Sequence, residues 1–422
     1  MADGSMGKAL ATEMADPELS YLLLLMHGAQ WIMGVRDDPY ALLLRAASDD
    51  PHDLGRRMRA RGPLYRSQAS VWVTAHHDLA ATALADARLS PEYAAPQEPD
   101  EARAEQERIL PFDLPRMEQL LPLDQASLTL GRPTCERLRT LTRAVLDDLD
   151  GLAANLCAQR LRTLDGDFDL RDDLARPVAM EAVAEVLGPH APDRFAALCA
   201  GTDDALDATL CPPLLASARR LTTAITGLRE LLDDTLRLKT GRLSDAGAEH
   251  PLDDTLATGV SLAVIGVDMT VNLVCDALQA LLDQPEAWER VRDDPACAAL
   301  AIDETRRYAP PVRLHRLFAH EDVELAGHKL RIGDELSVVV EAAERDPAVH
   351  EDPDRFDLDR DRAVLPDGPL TAPAAPAARR LAAATLRTIA VELPRVRRTG
   401  PVLRRPRSPV TRGVLRFPAA TG

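Results

Sequence analysis

The hydrophobic positions of this chain follow a helical period over most of its length. From Arg137 onward, apolar residues recur at helical spacing and predict one helix face: Leu138, Leu141, Val145, Leu149 and Leu152. A second helix is predicted from about Leu214 to Leu238. The longest predicted helix runs from about Asp254 to Asp283 and is apolar on nearly all sides. That pattern is typical of a helix in the middle of a protein.

The period changes to two in the C-terminal part and indicates a smaller β portion. Apolar and polar residues alternate over 323–340, around two glycine turns. Residues 63–75 predict a small hairpin, and SPVTRGVLRFP near the end predicts another. Helices are also predicted at 296–308 and from about 377 to 393. The chain is therefore expected to be mainly α with a minor β portion.

Length and charge narrow the class of protein. The chain has 422 residues, 46% of them hydrophobic, which is enough for a large core. Its net charge of −17 argues against a nucleic-acid binder, which needs a basic face. No signal peptide is predicted, and the apolar run Tyr21–Met26 is too short to span a bilayer. We therefore expect a cytoplasmic protein that binds neither nucleic acid nor membrane.

The six cysteines do not predict a metal site. None forms a C-x-x-C pair, and no histidine lies at zinc-ligand spacing from them. Scattered single thiols suit a reducing cytoplasm. Lysine is almost absent and arginine abundant, which suggests a GC-rich genome such as that of an actinobacterium.

A charged motif stands just before the predicted strands. Glu304 and Arg307 are three residues apart, so they can meet on one helix face. Alone this spacing is a weak signal, because solvated helix pairs explain most cases. Here it is followed by AERDPAVHEDPDRFDLDR, which offers a second arginine at Arg355. The ordered combination resembles the K-helix and meander of the cytochrome P450 family.

The resemblance extends over nearly the whole chain. DDPYALLLRA, RARGPLYR and VWVTAHHDLAATALADARLS match the family's N-terminal pattern, and RGVLRFP matches its last strands. The long central helix reads IGVDMT where the family has A-G-x-D-T-T. The resemblance implies a single domain with the cytochrome P450 fold over 38–422, preceded by a leader over 1–37. It also implies a structural ion-pair network of Glu304, Arg307 and Arg355.

Two departures from the family pattern remove the chemistry of the haem site. The loop F-G-x-G-x-x-x-C should follow Arg360, but the chain reads AVLPDGPLTAPAAPAARR and has no cysteine after Cys297. A cysteine thiolate is the ligand that lets such a haem cleave dioxygen. The family's acid–threonine pair reads Asp268 and Met269, and a thioether cannot relay a proton.

Two further departures affect the space around the haem. Ile265 replaces the small alanine of the family, so Ile265 and Met269 are expected to fill the distal space. The His-x-x-x-Arg that pairs with haem propionates reads Cys135-x-x-x-Arg139. We therefore expect no haem and no other cofactor, although Cys135 and a histidine such as His315 are alternative ligands to consider.

Within the family, the chain most resembles the P450-like auxiliary proteins of antibiotic biosynthesis. The shared traits are a leader ahead of DPY, a missing cysteine loop and a tail like TGPVLRRPRSPVTRG. This resemblance implies a non-catalytic activator of a TDP-deoxysugar glycosyltransferase that acts on a macrolide or anthracycline-type polyketide. It also implies a hetero-oligomer, with two copies around a transferase dimer.

The surface that contacts such a partner is not evident from the sequence. The apolar part of the leader is one candidate, through the range from Leu22 to Leu25 and through Trp31, Ile32 and Met33. Equally, that segment can pack on the protein's own core. The tail arginines Arg404, Arg405 and Arg407 are expected to be solvated. Two other functions stay open: a divergent haem mono-oxygenase with unusual ligation, and a carrier of a hydrophobic aglycone.

Overall fold

The computed structural model describes residues 14–47, 49–95, 114–361 and 364–422. Helices dominate these residues. The α-helices are α1 Asp16–Gly34, α2 Pro39–Arg45, α3 Pro51–Arg59, α4 His77–Ala85, α5 Met117–Leu120, α6 Arg132–Ala144, α7 Leu149–Leu161, α8 Arg176–Leu187, α9 Pro192–Ala200, α10 Leu215–Arg237, α11 Arg242–Ala246, α12 Leu252–Ser261, α13 Val267–Leu282, α14 Pro285–Asp293, α15 Cys297–Tyr308, α16 Val340–Ala343 and α17 Ala375–Glu392. Two π-helical turns lie at Leu170–Ala175 and Leu262–Gly266, and a 3-10 turn lies at Asp207–Thr209.

The strands are short and form four small sheets. They are β1 Tyr65–Arg66, β2 Trp72–Thr74, β3 Leu89–Ser90, β4 Asp167–Asp169, β5 Leu314–Ala319, β6 Val323–Leu325, β7 His328–Leu330, β8 Glu335–Val339, β9 Arg397–Arg398, β10 Leu403–Arg404, β11 Val414–Arg416 and β12 Pro418–Ala420. The largest sheet has the order β1-β2-β8-β5-β3, in which only β2 and β8 are parallel. The other sheets are β10-β11, β4-β12-β9 and β6-β7.

One long helix forms the middle of the fold. α12, the π turn Leu262–Gly266 and α13 run continuously as Leu252–Leu282, which we call the central helix. It packs against α17, α15 and α8. The central helix is long and apolar enough to cross a membrane, but almost all of it is buried inside the protein, as in a core helix. The prediction from its apolar pattern is therefore confirmed.

Aspartate–proline pairs set the start of the first helices after the leader. The Asp38 side chain accepts a hydrogen bond from the Ala41 backbone N–H at 3.0 Å, and Pro39 follows as the first residue of α2. Asp50 and Pro51 repeat the arrangement at α3. An N-cap aspartate satisfies a helix N–H, and proline there loses no hydrogen bond. The DPY element therefore has a local structural role.

One predicted helix is broken. The apolar period from Leu138 to Leu152 suggested a single helix, but α6 ends at Ala144 and α7 begins at Leu149. Between them Asp148 adopts a left-handed conformation with φ of 57°, which aspartate tolerates better than most residues. Val145 and Leu149, on either side of the break, are both buried. The apolar spacing therefore continues across the break because both helices face the core.

Candidate functional site

The altered haem positions of the central helix are packed side by side in the core. Ile265 is fully buried and lies in the π turn, and Met269 is 4% exposed. The hydroxyl of Thr270 donates to the carbonyl oxygen of Gly266 at 2.7 Å, within the same helix. A hydroxyl held by the helix backbone is not free to relay a proton. The expectation that Ile265 and Met269 are apolar packing residues agrees with this burial.

Asp268 forms an ion pair with the C-terminal tail. Arg405 Nη2 donates to Asp268 Oδ1 at 2.8 Å, and Asn272 Nδ2 donates to the other carboxylate oxygen at 3.0 Å. Burial lowers the pKa of Arg405, but the carboxylates of Asp268, Asp207 and Asp203 outweigh it and raise the pKa overall. The guanidinium therefore stays charged. The acid that activates oxygen in the family pattern is here part of a structural ion pair.

The central helix and the 3-10 turn Asp207–Thr209 hold the rest of the C-terminal tail. Arg404 donates to Asp276 Oδ1 at 2.5 Å and to Gln279 Oε1 at 2.6 Å. The buried Asp207 accepts four hydrogen bonds from the tail: from the backbone N–H of Val410 and Thr411 and from the hydroxyls of Ser408 and Thr411. The expectation of a solvated tail is wrong for Arg404 and Arg405, because long-range acidic partners fix them. Arg407 contacts the His27 ring of α1.

The loop before α17 occupies the place of the family's cysteine loop. Placing the second glycine of F-G-x-G-x-x-x-C on Gly368 puts the cysteine position at Ala372, which is buried. Ion pairs fix the loop, because Asp367 accepts from Arg306 at 3.1 Å and from Arg379 at 2.9 Å. An alanine methyl cannot ligate iron.

This loop packs directly on the central helix. A methyl group added to Gly266 would lie 3.6 Å from the Cβ of Ala374, which is ordinary van der Waals contact. Ala374 is fully buried, as is Ile265 on the helix. A haem needs a flat cleft between a cysteine loop and the central helix. At Gly266 the two segments are already in contact.

The alternative iron ligands do not fit a haem either. Burial raises the pKa of Cys135 to about 12, and its sulfur lies 3.5 Å from the carbonyl oxygen of Leu130. Burial lowers the pKa of His315 to about 4, although Asp367 opposes that shift. The His315 ring lies against Gly368, where an added Cβ would meet it at 2.5 Å. The donor set is therefore a protonated thiol and a ring covered by the loop, and neither fits an iron site.

The remaining altered position is Arg139, one turn after Cys135 on α6. Its side chain is half-buried, and its Nε finds no hydrogen-bond partner among the residues the structure describes. The thiol of Cys135 cannot replace the charge of the family's histidine toward a carboxylate. The residues at 135 and 139 therefore do not form a propionate-binding pair.

The predicted ion-pair network exists with a different third member. Arg307 donates to Glu304 at 2.8 Å, and both side chains are fully buried. Arg360 completes the network, since its Nε lies 3.3 Å from Glu304 Oε1. The Arg355 side chain is exposed, and only its backbone carbonyl accepts from Arg307. The assignment of Arg355 was therefore wrong, because the meander turns back at Asp352–Asp357 and brings Arg360 to the carboxylate.

The leader helix α1 has a buried face and an exposed face. Leu19 and Leu23 are buried in the main core. On the other side large apolar residues are at least half exposed: Tyr21 at 62%, Leu24 at 64%, Trp31 at 51%, Ile32 at 52% and Val35 at 78%. We call these five residues the leader face. A methyl group added at Gly28, within this face, would meet nothing within 4 Å.

The sequence identified only part of this face. Of the candidate contact residues, Leu24, Trp31 and Ile32 are exposed. Leu22, Leu25 and Met33 are half-buried, and Leu22 packs on the main core. Tyr21 and Val35 were missed. The spacing 21, 24, 28, 31 and 35 is a helical stripe, and this period could have revealed them.

Comparison with known proteins establishes the family. A family model described as Cytochrome P450 matches residues 298–360. Protein AknT from Streptomyces galilaeus is 40% identical to this chain, and the match covers 97% of both proteins. The chain belongs to the cytochrome P450 family. The family-model match ends at Arg360, where the divergent loop begins.

Further comparisons agree with this membership over the whole fold. Protein DesVIII from Streptomyces venezuelae is 35% identical, with 97% of this chain and 95% of the relative covered. The crystal structure of CYP164A2 from Mycobacterium smegmatis with econazole bound superposes with a TM-score of 0.71. It is 27% identical to this chain, and the superposition covers 90% of this chain and 99% of that structure. The predicted fold class, mainly α with the P450 fold, is confirmed.

Proposed function

We propose that this protein is a non-catalytic auxiliary protein that binds, stabilises and activates a TDP-deoxysugar glycosyltransferase of macrolide or anthracycline-type antibiotic biosynthesis. The observation that carries the proposal is the direct packing of the Ala374 loop on Gly266, together with an alanine at the cysteine position. The relatives AknT and DesVIII, both from Streptomyces, match nearly the whole chain, which agrees with an origin in an actinobacterium. A P450 fold that has no fitting iron site can still act through the surface that it presents to another protein.

The leader face is the proposed contact with the transferase. Five large apolar side chains on one helix face form a continuous patch, and such patches mark protein–protein contacts more often than scattered apolar residues do. Charged side chains of Asp16 and Asp37 lie at the two ends of the helix and are largely exposed. An apolar centre with a polar rim is the usual arrangement of an interface. Trp31 and Tyr21 are residue types that often dominate its binding energy.

The leader helix α1 is held in place by contacts with the rest of the protein. Arg219 of α10 pairs with Asp16 at 2.8 Å, and Gln30 donates to the carbonyl oxygen of Leu210 at 2.8 Å. Leu19 and Leu23 anchor the same helix in the core. A surface that is already ordered before binding loses little conformational entropy when the complex forms.

Activation requires no chemistry in this chain. A partner that binds only the folded transferase, at 100 times its dissociation constant, adds about 2.7 kcal/mol of stability to it. Preference for an active conformation of the transferase adds a coupling free energy of about 1–3 kcal/mol. Both effects depend only on contact. In a transferase dimer each subunit offers one such contact, which gives two copies of this chain per dimer.

Co-expression tests the proposal. A TDP-deoxysugar glycosyltransferase from the same organism is produced alone and together with this chain, and the mixture is separated by size exclusion. The two proteins should co-elute in equal amounts, and the transferase should keep its sugar-transfer activity longer at the working temperature. A transferase that never co-elutes, and that decays at the same rate without this chain, would show that the proposal is wrong.

A further inference from the structure

A cluster of metal-binding side chains is formed by helix α4 and the segment after α16. His77 begins α4, and Glu344 and His350 follow α16. One ligand atom from each of the three lies within 4.8 Å of the other two, and all three side chains are buried. We propose that His77, Glu344 and His350 bind one divalent transition-metal ion. No step of the proposed auxiliary function uses these residues.

The distances fit a small tetrahedral ion. Glu344 Oε2 and His350 Nε2 are 3.4 Å apart. Zinc bonds to histidine nitrogen and carboxylate oxygen are about 2.0–2.2 Å long, which places neighbouring ligands of a tetrahedron about 3.4 Å apart. The rings of His77 and His350 are 5.4 Å apart and nearly perpendicular, so the rings do not stack. The ligand atom of His77 lies within 4.8 Å of the other two, so binding would require its side chain to move closer.

The polar atoms of this cluster favour a cation. Neither Glu344 Oε2 nor His350 Nε2 makes a hydrogen bond with any residue in the described part of the chain. A buried carboxylate without a bond on one oxygen is costly, and a bound cation removes that cost. The nearby Arg345 does not supply the charge, since its guanidinium donates to Asp354 and to the carbonyl of Tyr308.

The surroundings hold the carboxylate in place. The other oxygen, Glu344 Oε1, accepts the backbone N–H of Leu365 at 2.6 Å. Ligating carboxylates usually carry such an outer hydrogen bond, which fixes their orientation. The His77 backbone N–H donates to Asp346 at 3.2 Å, so the start of α4 is tied to the same segment. Two imidazoles and one carboxylate suit zinc and its first-row neighbours rather than calcium or magnesium.

The ion would have a structural effect. It would join α4 to the segment after α16, and through Glu344 to the loop that starts at Leu365 and replaces the cysteine loop. A bound ion stabilises the folded state only, because the unfolded chain does not hold the three ligands together.

Zinc binding to the whole chain tests the proposal. The purified protein is stripped with EDTA, dialysed and titrated with Zn²⁺ alone, and bound metal is counted by mass spectrometry. One zinc per chain and a higher melting temperature are expected. Glu344→Gln and His350→Asn should each weaken binding by more than about 100-fold, beyond the effect of losing an outer hydrogen bond. His250→Asn, at an exposed histidine, is the matched control and should bind as the wild type does.

Two results would overturn the proposal. The first is a folded, EDTA-treated wild type that takes up no zinc, which would leave Glu344 and His350 as a simple buried ion pair. The second is one zinc per chain retained by both folded variants, which would place the metal on the cysteines or elsewhere. If one variant fails to fold, the wild-type titration and the other variant still decide between these outcomes.

Discussion

If the leader face binds the transferase, substitution of Trp31 should weaken the complex more than substitution of other exposed residues. Its indole ring is 51% exposed, and the guanidinium of Arg45 covers one side at 4.7 Å from the ring centroid. The other side faces solvent. Trp31→Ala therefore removes a large exposed apolar surface and leaves Leu19 and Leu23, which anchor the helix, in place.

The size of the effect follows from the exposed area. A tryptophan side chain offers about 250 Å² of surface. About half of that is free to be buried by a partner, which at about 25 cal/mol per Å² corresponds to about 3 kcal/mol. A loss of that size weakens binding about 100-fold. Substitution of Leu24 in the same background should weaken binding further, because it lies two turns earlier on the same face.

The dissociation constant of the complex with the purified transferase is measured by calorimetry for the wild-type chain and for Trp31→Ala. Leu238→Ala is the matched control, since Leu238 is 60% exposed but lies at the far end of α10 from the leader helix. The control should bind within about 0.5 kcal/mol of the wild type. A folded Trp31→Ala protein that binds as tightly as the control would refute the assignment of the leader face.

Three further predictions concern the interior. Glu304→Ala should lower the free energy of unfolding, measured in urea, by about 3–5 kcal/mol, because Arg307 loses its buried partner. Arg355→Ala should change it by less than about 0.5 kcal/mol. Equal losses in the two variants would contradict the network geometry. Since burial holds the pKa of His315 at about 4, below its ordinary 6.5, the unfolded chain binds that proton first as the pH falls. Relative to His315→Gln, the wild type should therefore lose up to about 3 kcal/mol of stability between pH 6.5 and 4, and a constant difference would contradict this burial. Ala372→Cys, expressed with a haem supply, should stay colourless, and a thiolate–haem absorption band would show that the loop opens.

Helical and strand periods were enough to predict most of the fold. The central helix, α10, α15 and α17 follow from apolar spacing, because buried faces constrain which residues can occupy them. The strand Leu314–Ala319 was missed, since nearly all of it is buried and its sequence, LHRLFA, does not alternate between apolar and polar residues. The break at Asp148 was missed because both flanking helices keep their apolar faces toward one core.

Long-range charge pairing was the part that spacing did not predict. Arg355 and Arg360 are both arginines of one irregular segment, and only the turn between them decides which reaches Glu304. The tail arginines look solvated in sequence, because their partners Asp268 and Asp276 are more than a hundred residues away. The cluster of His77, Glu344 and His350 is separated in the same way. Pairs at such distance along the chain carry no local pattern.

Activation without haem is tested by measuring sugar transfer by the purified transferase, with and without a haem-free preparation of this chain. The preparation is first shown to lack haem by its absorption spectrum, and transfer is then followed from TDP-deoxysugar to aglycone. We expect the colourless chain to raise the transfer rate, and the Trp31→Ala variant to require a higher concentration for the same rate. A transferase that responds only to a haem-loaded chain, or not at all, would contradict this expectation.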